Sequence, residues 1–103
     1  MSNDAIRSKV EAIDSVVRAF SADIDTFRVD VSSKVNDVDA ALGRLSTVWE
    51  GTLQQNFDEK MRARQAQIRS ALTRAGALKE KLDGIAAEMA AMLAILNAAG
   101  EDQ

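Results

Sequence analysis

The chain has no cysteine, histidine, proline or tyrosine, and only Trp49, Phe20, Phe27 and Phe57 are aromatic. Lack of cysteine excludes disulfides and thiolate nucleophiles. With histidine missing as well, the usual zinc and haem ligands are gone, as is general acid–base chemistry by imidazole. Carboxylates such as Asp23, Asp25 and Asp30 are spread along the chain without partner bases, whereas catalysis needs convergent polar groups in a pocket. The expectation is a protein that is not an enzyme and has no catalytic residue, cofactor or metal. Lack of proline means that no position forces a helix to break. In a chain that is 47% apolar, so few aromatics favour aliphatic seams between helices over a thick core.

What is present points to helices. Ala, Leu, Arg, Lys, Glu and Gln are abundant, and all are good helix formers. From Ile6 the apolar positions run Val10, Ile13, Val17, Phe20, Ile24, Phe27, Val31, Val35, Val38, Leu42, Leu45 and Trp49. They are spaced alternately by three and four residues, a heptad-like seam, with two consecutive fours around Val31. Such a stutter locally relaxes a left-handed supercoil. Past the middle, a second seam runs Leu53, Phe57, Met61, Ile68, Leu72, Ala75, Leu78, Leu82, Ile85, Met89, Met92 and Leu96. It is interrupted at Arg64 and Gln65, which predicts either a polar layer or long side chains lying along the groove with their heads in water.

Between the seams lies Trp49-Glu50-Gly51, where a glycine permits the backbone angles of a reversal. Thr52 and Gln55 have the spacing of a capping box and mark the second helix start. Gly100 is placed to end that helix. The chain therefore reads as one domain over 1–103: helix 1 over about 4–47, a turn at 49–51, helix 2 over about 52–99 and a polar tail at 100–103. Gly76 and Gly84 lie inside the second helix at a cost of about 1 kcal/mol each relative to alanine, which close approach of a neighbour would offset. Ala5, Ala12, Val16, Ala19, Val29, Ala40, Ala41 and Val48 broaden the first helix's apolar side beyond one seam. A two-helix hairpin would leave them exposed, so a bundle with a second chain is implied. The fold class is all-α: an antiparallel helical hairpin, dimerising into a four-helix bundle.

Net charge is −3, which argues against a nucleic-acid partner. Residues 58–81 carry seven bases and three acids, read as a solvated face that pairs with the acidic first helix. Ile85 to Ala99 contains Glu88 and Asn97 and is shorter than the roughly 20 residues a membrane span requires, so no membrane partner is expected. No Sec-type signal pattern is visible at the N-terminus.

Two long helices in about 100 residues, no cysteine and a central Trp-x-Gly resemble the WXG100 (ESAT-6-like) family, and Phe57 fits the apolar or aromatic residue that the family tends to place shortly after the glycine. The resemblance covers nearly the whole chain. It implies a protein made in the cytoplasm and secreted by a type VII (ESX-like) system without a cleaved signal peptide. It also implies pairing with itself or with another helical-hairpin protein into an antiparallel four-helix bundle. In that family the Trp-x-Gly turn lies near the C-terminal end of the partner's second helix. There it forms a composite export signal with a Tyr-x-x-x-Asp/Glu motif, read by the secretion ATPase. By carry-over Trp49 and Gly51 are the recognition residues, with Phe57 packing near the turn. The chain has no tyrosine. A partner supplies that half, a different C-terminal sequence replaces it, or the protein leaves by another route or stays inside. Escort of a larger effector carrying the missing motif is a subsidiary expectation. The alternatives are a cytoplasmic coiled-coil scaffold or adaptor, with Trp49 as a bundle cap, and a membrane-perturbing effector.

Overall fold

The computed structural model describes residues Ser2–Glu101 and the side chains of 3–99. It is all-helical: α1 spans Ser2–Val48 and α2 spans Thr52–Glu101, with no strand among the described residues. Both helices outrun the bounds expected from sequence. Gly100 lies within α2 rather than ending it, and the remainder of the expected tail, 102–103, falls outside the described residues. The chain divides into two compact units, Met1–Asp25 with Ala77–Gln103, and Thr26–Gly76.

Within each unit α1 and α2 pack antiparallel along a narrow seam. In the unit holding both helix ends, Val10, Ile24, Leu82 and Ala86 are buried together with Ser21. Ser21 Oγ donates to Asp83 Oδ1 at 2.5 Å, and Lys79 Nζ donates to Asp83 Oδ2 at 2.7 Å. In the unit holding the connection, Val35 and Leu42 are buried, and so is Gln65, only 3% exposed. Gln65 Nε2 donates to the Val35 carbonyl at 2.8 Å and to Asp39 Oδ1 at 3.2 Å. Asp39 also receives Arg69 from α2. The interruption in the second seam is thus a polar layer formed by Gln65, while Arg64 stays exposed. A buried amide with both of its donor bonds made resists sliding of one helix past the other, because any slip leaves it unpaired.

The seam itself differs from the one the apolar pattern predicts. Val10, Val17, Ile24, Val31, Val35, Val38, Leu42 and Leu45 face α2, but Ile6, Ile13, Phe20 and Phe27 do not; they are 45, 48, 50 and 54% exposed. Their places in the seam are taken by Arg7, Asp14, Ser21 and Arg28, each one residue further along. The stutter at Val31 marks where the apolar residues change sides of the seam. After it they face α2, and before it half of them point away. Burying polar side chains instead has a cost, since Arg7 Nε, Asp14 Oδ1 and Asp58 Oδ1 are buried without a hydrogen-bond partner. The helical glycines also part ways. Arg28's guanidinium lies over Gly76, 3.1 Å from where a Cβ would stand, so the expected close neighbour is there; Gly84 has nothing within 4 Å.

Two carboxylates titrate with folding. The Gln65 and Arg69 hydrogen bonds hold Asp39 below its ordinary value, and the Lys79 and Ser21 hydrogen bonds do the same for Asp83. A depressed folded value adds stability above the unfolded value that is lost as pH falls through the folded one. Urea midpoints should therefore decline as pH falls below the ordinary carboxylate range, and Asp83→Asn should make that decline shallower. An unchanged slope would remove Asp83 from the seam's electrostatics.

Candidate interaction face and Trp-x-Gly turn

The residues displaced from the seam are not scattered. In the unit of the helix ends, Ile6, Ile13 and Phe20 repeat every seven residues on α1, and Leu78, Ile85 and Met92 repeat every seven on α2. A seven-residue repeat is two helical turns, so each set forms a stripe along one side of its helix. Each α1 residue immediately precedes a seam residue, Arg7, Asp14 or Ser21, and each α2 residue precedes Lys79, Ala86 or Leu93. Because the helices run antiparallel, the same offset turns both stripes toward the same side of the pair. The result is one exposed apolar face built from both helices. On the opposite side an open cleft of about 460 Å³ is lined by Arg18, Ser21, Asp25, Lys79, Asp83 and Ala86 among others. That cleft sets four charged side chains and Ser21 among the small Ala22, Ala86 and Ala87, and it has none of the large apolar residues that form the two stripes.

Sequence reasoning placed Ile6, Ile13, Phe20, Leu78, Ile85 and Met92 in the intramolecular seam. The signal that could have separated them was the stutter, together with the regular polar positions Arg7, Asp14, Ser21 and Arg28 beside them.

The turn belongs to the other unit. The Trp49 N–H donates to the Leu45 carbonyl at 3.0 Å, closing α1, and the Gln55 N–H donates to the Gly51 carbonyl at 3.1 Å, opening α2. Gly51 is therefore the residue that caps α2. The capping box expected at Thr52 is not made, since the Gln55 N–H is already used by Gly51. Gly51 has φ 112°, a left-handed-side conformation that a Cβ disfavours, although the space around it is open. Trp49 and Phe57 meet with ring centroids 5.7 Å apart and planes tilted by 51°. An offset, tilted pair of this kind is a favoured aromatic geometry. Trp49 is 36% exposed, neither a core residue nor fully free, and Val48 and Leu53 beside it are more exposed still. The three residues singled out from sequence, Trp49, Gly51 and Phe57, thus lie together at one turn. With Val48 and Leu53 they form an exposed apolar tip.

Charge along the basic segment is handled mostly within α2. Arg62 Nε pairs with Asp58 at 2.7 Å and Lys79 with Asp83 at 2.7 Å, while Arg69 reaches across to Asp39 on α1. Asp58 raises the Arg62 guanidinium further above its ordinary value. An 18-residue window of α2 reaches a mean hydropathy of 1.4 and is only 6% buried, so α2 is long and apolar enough by composition to cross a membrane. Among the described residues no group of three acidic, histidine or cysteine side chains is placed to hold a metal ion.

Compared with known protein families, curated proteins and solved structures, the chain matches none. The resemblance drawn from its Trp-x-Gly turn and helical pattern stands on those residues alone.

The two glycines should respond to substitution with opposite signs. Gly51→Ala is expected to cost about 1–3 kcal/mol through its backbone angle, whereas Gly84→Ala is expected to stabilise the isolated chain by about 1 kcal/mol. Chemical denaturation of both variants against the parent provides the comparison, and like signs would contradict the backbone account.

Proposed function

We propose that this chain acts by binding rather than chemistry, as a small substrate or co-secreted partner of a type VII (ESX-like) secretion system. It pairs through its apolar face with another helical hairpin to complete a four-helix bundle. The observation that carries the reading is the face shared by Ile6, Ile13, Phe20, Leu78, Ile85 and Met92. Contiguous apolar surface contributed by two packed helices is the kind that soluble proteins cover with a partner. Surface area supports it. The chain exposes 7451 Å², against roughly 5,700 Å² for a compact monomer of this mass. That excess, about 1,750 Å² on one chain, is more than the roughly 800 Å² that each partner of a standard interface buries.

The exposed tip of Trp49, Phe57, Val48 and Leu53 is the proposed contact for the secretion ATPase, with Gly51 setting its shape. The tyrosine half of the family signal then comes from a larger effector that the pair escorts. In this reading the protein is made in the cytoplasm and exported without a cleaved signal peptide.

Trp49→Ala decides whether the tip is read. At 36% exposure, the loss of the Phe57 contact should cost only about 1–2 kcal/mol, well short of the roughly 3–5 kcal/mol of a core tryptophan. Helicity and self-association should survive, while export from cells with an active type VII apparatus should fail. Immunoblots of medium and cell fractions give the readout. A parent chain found only inside such cells would overturn the secretion reading and leave the cytoplasmic scaffold.

The apolar window of α2 favours a second reading, insertion into lipid. If it holds, the purified chain releases dye from anionic vesicles at neutral or acidic pH. Intact vesicles at micromolar protein would dismiss it.

A further inference from the structure

The unit of the turn, Thr26–Gly76, carries eight basic side chains, and its contacts sort them into two groups. Three are engaged within the unit: Arg28 lies over Gly76, Arg62 pairs with Asp58, and Arg69 reaches Asp39. The other five, Lys34, Arg44, Lys60, Arg64 and Arg74, are exposed, and among the described residues none of them has an ion pair. Heptad position places all five on one side of this unit. On α1, Lys34, Ala41 and Val48 repeat every seven residues, the first two directly before the buried Val35 and Leu42. On α2, Phe57, Arg64 and Ala71 repeat in the same way, each directly before a seam residue, Asp58, Gln65 or Leu72. Equal offsets on antiparallel helices turn both stripes to the same side of the pair. Arg44, Lys60 and Arg74 follow Ala41, Phe57 and Ala71 by three residues, which carries them to the outer edges of those stripes. Arg62 and Arg69, four residues after Asp58 and Gln65, go to the opposite side, where Asp39 lies.

Asp39 meets Gln65, and five residues on along α1 and five back along α2 put Arg44 level with Lys60. These two cations stand on either flank of the strip, just short of Val48 and Phe57, which are 81 and 40% exposed. An open cleft of about 510 Å³, lined by Ala41, Arg44, Leu45, Thr47 and Val48, lies beside them. Asp30 and Asp37, both on the outer edge of α1 and further from the turn, are the acids of this side. The strip thus has a basic rim and an apolar floor, and the small Ala41 and Ala71 in that floor leave holes for another helix's side chains. A neutral apolar cover would strip water from cations that have no partner. That penalty exceeds the gain from the few apolar side chains it would bury.

We propose that the occupant of this strip is an acidic amphipathic helix of a different chain. Its apolar side lies on Ala41, Ala71 and Phe57, and its carboxylates reach Arg44, Lys60 and Arg64 as charge-assisted hydrogen bonds. The proposal rests on the reading of the chain as one partner of a helical bundle, and it commits that reading to the partner's chemistry. A second copy supplies no such helix among its described residues. The apolar stripes of its other unit are edged by Lys9, Val16 and Asp23 on α1 and by Lys81, Glu88 and Ile95 on α2, with as many bases as acids. A lipid surface fits less well, because lipid-facing sides carry large apolar residues beneath their cations, and much of the floor here is alanine. Trp49 and Leu53, at the end of the pair, stay outside the contact.

Trp49 is the only tryptophan of the chain and touches Phe57, so its emission reports on the strip. Two synthetic helical peptides of about three heptads, free of tryptophan, serve as probes. Both carry leucine on the apolar side, one with glutamate and the other with lysine at the flanking positions. The full-length chain should bind the glutamate peptide at least about tenfold more tightly at low ionic strength, and the difference should shrink as salt rises. Arg44→Glu with Lys60→Glu and Arg64→Glu should reverse the preference, whereas Arg44→Lys with Lys60→Arg and Arg64→Lys should keep it. Helicity by circular dichroism should hold in both, since the three side chains are exposed. Equal affinity for the two peptides, or a preference that survives reversal, overturns the acidic partner and leaves the bundle reading standing. A parent chain whose self-association excludes the glutamate peptide does the same. Emission that responds to phosphatidylglycerol vesicles and not to that peptide overturns the proposal in favour of lipid. A chain that binds neither peptide and stays monomeric at high micromolar concentration overturns both the proposal and the bundle reading.

Discussion

Two helices packed against each other can bury only a narrow strip of each, and this chain has more apolar surface than that strip can take. The rest of the structure follows from the mismatch. With the seam settled on Val10, Ile24, Val35, Leu42, Leu82 and Ala86, no side chain among the described residues is fully buried. The remaining large apolar residues are left outside. Because both helices leave them on the same side, the surplus forms a face rather than isolated spots. Hydrophobic burial, the dominant favourable term in folding and in most association, is thus divided between the chain's own seam and whatever covers that face.

The seam tolerates polar residues because it is narrow and partly wet. Gln65 and Ser21 are buried and hydrogen-bonded, and Asp39 and Asp83 lie at the seam's edge, where neighbouring cations and amides stabilise their charge. These contacts set the register between α1 and α2 more sharply than the aliphatic residues do, since a valine or leucine can slide against another at little cost. The turn is separate in kind: Gly51 supplies the backbone angle, while the rings of Trp49 and Phe57 meet at a tilt and remain within reach of solvent.

Much of this was legible from sequence. Two long helices, their antiparallel return and the turn at Trp49-Glu50-Gly51 follow from heptad spacing, missing proline and one well-placed glycine. The gathering of Trp49, Gly51 and Phe57 at one site follows from their closeness in the chain. The assignment of Ile6, Ile13, Phe20, Leu78 and Ile85 was not legible in the same way. Periodicity reports which side of a helix is apolar, but a side that spans more than one seam does not say which part meets which neighbour. The polar residues that displaced them, Arg7, Asp14 and Ser21, look like solvent positions until their partners across the pair are known. The capping of α2 by Gly51 instead of Thr52 was hidden for a similar reason, because one N–H can satisfy either of two nearby acceptors.

By itself the sequence determined the helices, their lengths to within a turn, the place of the reversal and the surplus of apolar surface. All of these depend on residue type and on spacing along a single helix. Only the tertiary structure decided how that surplus is shared between seam and face and which polar groups lie in the seam. Those properties depend on the rotation and register of one helix against another. They are set by a few contacts across the seam, such as Gln65 with Asp39 and Ser21 with Asp83, not by any pattern within either helix.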